Sequence, residues 1–200
     1  MKQHLPNKQT LGQHSKTKAL RAFLLTTGTA VFSTLFSTYS VAEEPHAYFC
    51  GPENPVEARS IEAIIPALYQ IVSGKAGSDK NWPLMKTLFA DTASVTPVFH
   101  TKEGKMTANI SSVDEFIALN KTIFKDQNFF ETEVGNKTFT FGHMANVLSH
   151  YESRDAIGAE PYAQGVNSFQ LLNDGRRWCV ISVTWDSHSK DHPLKDNILE

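Results

Sequence analysis

Between residues 129 and 185 the chain alternates long runs of aromatic and β-branched residues with short turn signals, and this restricts its fold more than any other feature. One run, residues 129–139, ends at Phe141-Gly142. A second, residues 143–154, ends in the loop 155–160, and a third and fourth flank Asp174-Gly175. Runs joined by connections this short pair antiparallel, because a parallel crossover needs a dozen or more residues. The pattern therefore predicts a curved meander. It follows helical segments, which makes the domain α+β, with N-terminal helices packed on a strongly curved antiparallel sheet.

The segments before the meander read as three helices and a strand. Asn54, Pro55 and Glu57 supply an N-cap acceptor, a first-turn proline and a first-turn acid. A helix from there to Ser73 puts Ile61, Ile64, Ile65, Leu68, Tyr69 and Val72 on one face, and Gly74 offers its C-cap. Pro66 removes one backbone donor, so it kinks this rod or splits it in two. Residues 79–90 read as a second helix with Trp82, Met85, Leu88 and Phe89 facing the core, and residues 94–101 as an edge strand because of Pro97. Ser112 and Glu115 form a capping box opening a third helix, with Val113, Phe116, Ile117, Ile123 and Phe124 on its apolar face. Asn120 interrupts that face. It reads first as an exposed flank and alternatively as a polar group aimed into a cavity.

A chain of 200 residues with 40% hydrophobic content buries one good core. Residues 1–42 carry Lys2, Lys8, Lys16, Lys18 and Arg21 and no acid, then an apolar stretch over 22–36, then Ser40-Val41-Ala42 with small residues where a signal peptidase reads. This is the pattern of a secretory signal cleaved after Ala42. Thr26, Thr27, Gly28, Thr29, Ser33 and Thr34 make the stretch too short and too hydroxylated for a span of roughly 20 residues, so no stable membrane anchor is expected after cleavage. The layout is then a signal peptide at 1–42, an arm at 43–54, one domain at 55–187 and a polar tail at 188–200, with a secreted or periplasmic location.

The leader holds five of the 19 basic residues and none of the 21 acids, so the remainder stands near −7. An acidic body without a basic stripe excludes nucleic acid as partner. Arg176-Arg177 and the pair Lys102 and Lys105 read as solvated turn charges. The eight histidines are scattered without metal spacing, and no phosphate loop, nucleotide fingerprint or G-x-S-x-G occurs, so neither metal nor cofactor is indicated. Asn109, Asn120 and Asn136 head N-x-S/T sequons that matter only in a glycosylating host. Cys50 and Cys179 are the disulfide candidates in an oxidising compartment, and such a bridge would contribute roughly 4 to 5 kcal/mol in the chain-entropy model. Two separate thiols, with Cys179 as a small core hydrophobe, is the alternative.

The order helix, helix, strand, helix, long meander resembles the cone-shaped nuclear transport factor 2-like superfamily, and the local wording is similar to its SnoaL-like secreted bacterial branch, a subgroup of unsettled activity. The resemblance covers roughly residues 56–186. It is carried by Trp82 with Leu88-Phe89, Phe129-Phe130-Glu131, Phe141-Gly142-His143-Met144-Ala145, Ser149-His150-Tyr151-Glu152-Ser153-Arg154, Gly165-Val166-Asn167-Ser168-Phe169-Gln170-Leu171, and Asp174-Gly175-Arg176-Arg177-Trp178 leading to Trp185. It implies a bent sheet wrapped around helices, a blind pocket on the concave side, and a convex side that often forms a dimer. Enzymes of the superfamily use a pocket His or Asp as base beside a Tyr, acid or amide that polarises a carbonyl, and no motif here reproduces that arrangement.

Taken as a two-residue hairpin, Asp174-Gly175 pairs Asn173 with Arg176, Leu171 with Trp178, Phe169 with Val180 and Asn167 with Ser182, leaving Ser168, Gln170, Cys179, Ile181, Val183 and Trp185 on the other face. Neither face is wholly polar, which points to a homodimer through the sheet. His143, Ala145, Val147, Ser149 and Tyr151 share one side of the preceding strand, and alternation alone leaves open which side is concave. Ser149 and His150, being adjacent, cannot act as nucleophile and base.

The candidate acid–base residues are His143, Tyr151, Glu131 and Glu133, with Asn167, Gln170, Ser149 and Asn120 as ligand-binding candidates. Such a set suits proton transfer beside a carbonyl. The competing reading makes Glu131, Glu133, Glu152 and Arg154 a cross-strand charge ladder, with Tyr151 half-buried and His143 exposed. Three functions stay open: a domain binding a small apolar or carbonyl-containing molecule, a cofactor-free lyase or isomerase, and a dimerisation module with a filled cavity. A roomy pocket with a buried ionisable pair favours the enzyme, neutral polar groups favour binding, and a collapsed pocket favours the module.

Overall fold

A computed structural model describes residues 48–101 and 103–194. The expected leader, the first residues of the arm, Lys102 and residues 195–200 lie outside the described residues. A 3-10 turn at Val56–Ala58 precedes α1 (Ile61–Val72), α2 (Trp82–Leu88), β1 (Phe89–His100), β2 (Met106–Ala108), β3 (Ser111–Ser112), α3 (Val113–Ile123), β4 (Phe130–Phe141), β5 (Met144–Arg154), β6 (Ala163–Asn173) and β7 (Trp178–Ser187). The strands form one curved sheet in the order β2-β1-β7-β6-β5-β4, with β3 paired to β1. All neighbours are antiparallel except β1 and β7, which run parallel with Val95 opposite Val183.

The predicted face of α1, from Ile61 to Val72, is buried throughout. The helix starts later than its sequence suggests: Ser60 caps it, its Oγ accepting from the Ala63 N–H at 3.2 Å, while Asn54 lies before the 3-10 turn and caps nothing. Pro66 does not split the rod, which runs unbroken on either side of it. The proline is exposed, so the donor it lacks faces the solvent side. Gly74 exchanges two backbone hydrogen bonds with Phe129, at 2.6 and 3.0 Å, tying the end of α1 to the start of β4. In α3 the capping box is formed, Ser112 Oγ accepting from Glu115 N at 3.3 Å and Glu115 Oε2 from Ser112 N at 2.8 Å.

Three expectations about the strands need correction. The second helix is shorter than 79–90, because Asn81 caps it and Phe89 and Ala90 already belong to β1. β1 is not an edge, since β7 pairs along one side of it and β2 and β3 along the other. Pro97 is tolerated because it falls between the residues of β1 that pair with β3 (Ser94, Val95) and those that pair with β2 (from Val98), where no ladder donor is required. The β6–β7 register also differs: Asn173 faces Trp178, Leu171 faces Val180 and Phe169 faces Val183, with a bulge opposite Gln170/Leu171.

The cause of that last change is chemical. The Asp174 carboxylate accepts from the backbone N–H groups of both Arg176 and Arg177, at 3.0 and 3.1 Å, and Asp174 N donates to the Arg177 carbonyl, so the loop takes four residues instead of two. The bulge then turns Val183 and Trp185 onto the face of Asn167 and Phe169, the reverse of the two-residue reading.

At this hairpin end Cys50 and Cys179 are disulfide-bonded, with Cα atoms 5.6 Å apart and a sequence separation of 129. Arg176 is half-buried and Arg177 buried, so neither is a free turn charge. The Arg176 guanidinium lies 3.1 Å from the centroid of the Tyr48 ring and donates to Gly51 O at 2.8 Å. Arg177 is 0% exposed and donates to Thr87 O at 2.6 Å, in the last turn of α2. The core proper lies between the three helices and one sheet face, where Ala145, Val147, Phe169, Leu171, Val180 and Val183 are buried.

Candidate functional site

The helices do not fill the concave face completely. Between α1, α3 and the sheet they leave a cavity of about 360 Å³, walled by Leu68, Val72, Met85, Phe89, Val95, Phe116, Phe124, Phe129, Phe169, Val183 and Trp185. Its polar lining comes from Tyr69, Asn120, Gln127, Glu131, Tyr151, Ser153, Tyr162, Asn167 and Ser187. Tyr69 and Glu131 also line an open groove beside the loop 157–161, so these two side chains stand between the cavity and the outside.

Strand alternation decides which residues reach this space. On β5 the odd positions Ala145, Val147, Ser149, Tyr151 and Ser153 are buried, which settles the concave side. On β6 the inward residues are Gly165, Asn167, Phe169 and Leu171. Gly165 faces Tyr151 across the strands, and a Cβ there would sit 2.6 Å from the Tyr151 hydroxyl. The missing side chain thus makes room for the phenol, whose Oη is 2.9 Å from Ser187 Oγ.

The polar groups form a directed chain. Asn167 Nδ2 donates to Tyr69 Oη at 2.8 Å, and Ser149 Oγ donates to Glu133 Oε1 at 2.7 Å. Tyr69 Oη and Ser149 Oγ are 2.6 Å apart, so with the serine proton committed to Glu133 the tyrosine proton points to Ser149. Burial pushes the Tyr69 pKa up, against the opposing hydrogen bonds from Ser149 and Asn167, and keeps this phenol neutral.

Glu131 stands apart from that chain. Its backbone N–H donates to Ser73 Oγ at 2.9 Å, and one carboxylate oxygen accepts from Ser153 Oγ at 3.3 Å. The residue keeps some accessible surface, but its carboxyl sits inside the wall, and burial pushes its pKa up to about 7, opposed by the Ser153 hydrogen bond. Burial likewise raises Tyr151 and Tyr162, with the Glu131 charge adding to both.

Among the residues singled out from sequence, Tyr151, Glu131, Asn167 and Asn120 line the cavity, while Ser149 and Glu133 lie behind Tyr69. Asn120 is buried, not an exposed flank, and its Nδ2 donates to Phe116 O at 2.8 Å. His143 is exposed in the β4–β5 turn, its ring 3.1 Å from Asn173 O, and takes no part in the cavity. Gln170 is exposed on the opposite sheet face because Asn167 and Phe169 hold the inward parity. The charge ladder survives only as Glu152 paired with Arg154, and Tyr151 is buried, not half-buried.

Sequence reasoning missed Tyr69, Ser153, Tyr162 and Ser187. Tyr69 was hidden by its place on an apolar helix face, and the glycine inside a strand at 165 was the available signal for the Tyr151 pocket. Among the described residues no group of three or more His, Cys, Asp or Glu could hold a metal ion, and no helix is long and apolar enough to cross a membrane.

No family model and no curated protein matches the sequence. Solved structures do match. One is an NTF2-like protein of unknown function from Pseudomonas putida KT2440, at 13% identity and a TM-score of 0.51 over 68% of this chain and 92% of that one. Others are NTF2-like proteins of unknown function from Silicibacter pomeroyi DSS-3, at 18% identity and 0.44 over 64% and 92%, and from Shewanella baltica OS155, at 17% and 0.43 over 64% and 94%. Identities this low speak to architecture and not to activity. With three helices on a curved α+β sheet and the Pseudomonas putida protein as its match, the chain has the nuclear transport factor 2-like fold.

Proposed function

We propose that this protein is an exported binding domain that holds one small, largely apolar molecule in the concave cavity. The observation that carries this reading is the cavity itself: about 360 Å³, apolar on most of its wall, with polar groups gathered around Glu131, Tyr151 and Asn167. That combination is what small-molecule sites share. A dimerisation module filled by its own side chains is disfavoured by the same open space. Export is supported by the Cys50–Cys179 disulfide, a bond that persists in oxidising compartments, and by the leader-like composition of residues 1–42.

The test is a thermal-shift screen of apolar small molecules against the wild-type protein and Ala163→Phe, a variant that fills the lining. Stabilisation seen with wild type and lost in the filled variant is the expected result. Hits that stabilise both equally would sink the reading, because binding would then be outside the cavity.

A second reading, a cofactor-free isomerase or lyase, draws on one observation: a carboxyl with a pKa near 7 inside the cavity, beside the Tyr151 phenol. That is the range in which a general base works at neutral pH. Glu131, not His143, would then be the base. A homodimer through the outer sheet face is also proposed, supported by the apolar Met144, Leu148, Val166 and Leu172 among its outward residues. Native mass spectrometry reads it directly, a monomer at micromolar concentration being the adverse result.

A further inference from the structure

The cavity lining contains one acid and no base. Glu131 contributes the single carboxyl, and no Lys, Arg or His side chain lines the space. A buried carboxylate normally has a cationic partner or several donors. Among the described residues this one has a single side-chain hydrogen bond, from Ser153 at 3.3 Å. The nearby charges are committed elsewhere: Arg154 to Glu152, Thr132 and the Ala159 carbonyl, and Lys80, stacked on the Phe124 ring, to the Val72 carbonyl at 2.7 Å. Glu133 on the same strand accepts from Ser149. What faces Glu131 instead is aromatic: Tyr69 from α1, Tyr151 from β5 and Tyr162 ahead of β6 feel its charge, with Phe129, Phe169 and Trp185 further along the wall.

We propose that the ligand is an organic cation, an apolar molecule bearing one ammonium group that pairs with the Glu131 carboxylate while the ring faces surround its substituents. The inference rests on the reading of the cavity as a ligand site and names the ligand's chemical class. Aromatic faces and a carboxylate are the two features that attract a desolvated ammonium. A carboxylate ligand would meet a like charge at Glu131, and the Tyr69 proton is already given to Ser149; a ketone finds a donor at Glu131 only while that carboxyl keeps its proton, so its affinity falls as pH rises. The free protein relieves its unpaired charge by holding a proton on Glu131. A cation displaces that proton, so its affinity rises with pH until the carboxyl is fully ionised.

The experiment titrates benzyltrimethylammonium, its uncharged carbon isostere neopentylbenzene and the ketone 4-phenylbutan-2-one into wild type and Glu131→Gln at pH 6 and pH 8, reading heat and Trp fluorescence. The expected result is cation affinity about tenfold higher at pH 8 than at pH 6, a pH dependence abolished in Glu131→Gln, and isostere affinity independent of both. Tighter binding of the isostere or the ketone than of the cation at pH 8 overturns the proposal and leaves the cavity reading standing. Failure of all three probes to bind wild type overturns both. A tenfold pH effect that persists in Glu131→Gln also overturns the proposal, because another group would then carry it.

Discussion

The two ends of the strand ladder both draw ionisable side chains into the wall, and they treat them in opposite ways. At the hairpin end Arg177, 0% exposed, reaches the Thr87 carbonyl in the last turn of α2, where the helix dipole favours a cation. Asp174 beside it is held below the usual carboxylate range: its own burial would raise it, but the backbone N–H groups of Arg176 and Arg177 outweigh that. The disulfide then closes this end. At the other end, where Glu131 faces Ser153 and Ser153 faces Ala163, the carboxyl has no charged partner and an open cavity beside it. One end is closed by its own residues, although Arg176 Nε and Arg177 Nε and Nη2 stay buried without a hydrogen-bond partner. The other leaves a carboxyl without a charged partner beside an open cavity.

The largest effect should come from opening the closed end. Replacing Cys50 and Cys179 together by Ser is expected to cost about 4 to 5 kcal/mol in the chain-entropy picture, read as a lowered urea midpoint. A loss under 1 kcal/mol would mean that the arm does not hold the hairpin. Arg177→Ala follows at about 3 kcal/mol, combining a cavity with an unpaired Thr87 carbonyl. A near-neutral result would show that the buried guanidinium contributes little beyond its volume.

At the open end the sign reverses. The Glu131 pKa is raised from 4.5 to about 7 on folding, so the folded state binds the proton more tightly. Stability from this group is present below pH 4.5 and is lost as pH rises through 7. Glu131→Gln should therefore be more stable than wild type by about 2 kcal/mol at pH 8, discounted for residual solvent, and equal to it near pH 4. Urea melts at the two pH values decide it, and a variant less stable at pH 8 would mean that the ionised carboxyl has a stabilising partner. Tyr69→Phe comes last, at about 1 to 2 kcal/mol, since it leaves Asn167 and Ser149 short of one bond. No change there would mean that water replaces the phenol.

What could be read from sequence was local. The capping box at Ser112 and Glu115 and the buried face of α1 follow from spacing of three and four residues, which a helix enforces wherever it sits. The hairpin register could not be read, because it depends on the Asp174 side chain choosing two backbone donors, and on a bulge that only the packed sheet determines. Arg177 looked like a turn charge because nothing in Arg176-Arg177 announces that the end of α2 will lie against it. Glu131 lines the cavity, but its lack of a charged partner depends on Arg154 turning to Glu152 on the other face. His143 failed as a candidate through one residue: the strand begins at Met144, and the ring stays in the turn.

The parallel pairing of β1 with β7 has a consequence for how such a chain comes to exist. β7 is the last of the described strands, yet it is the inner neighbour of the first described one and carries the second half of the covalent link. During synthesis the three helices therefore emerge before the surface they are to cover, and β1 waits for a partner made more than eighty residues later. A nascent chain halted before residue 178 has β1 paired only with β2 and β3 and leaves Cys50 without its mate. The sheet position between β1 and β6 and the covalent closure of the arm thus both wait on the same strand.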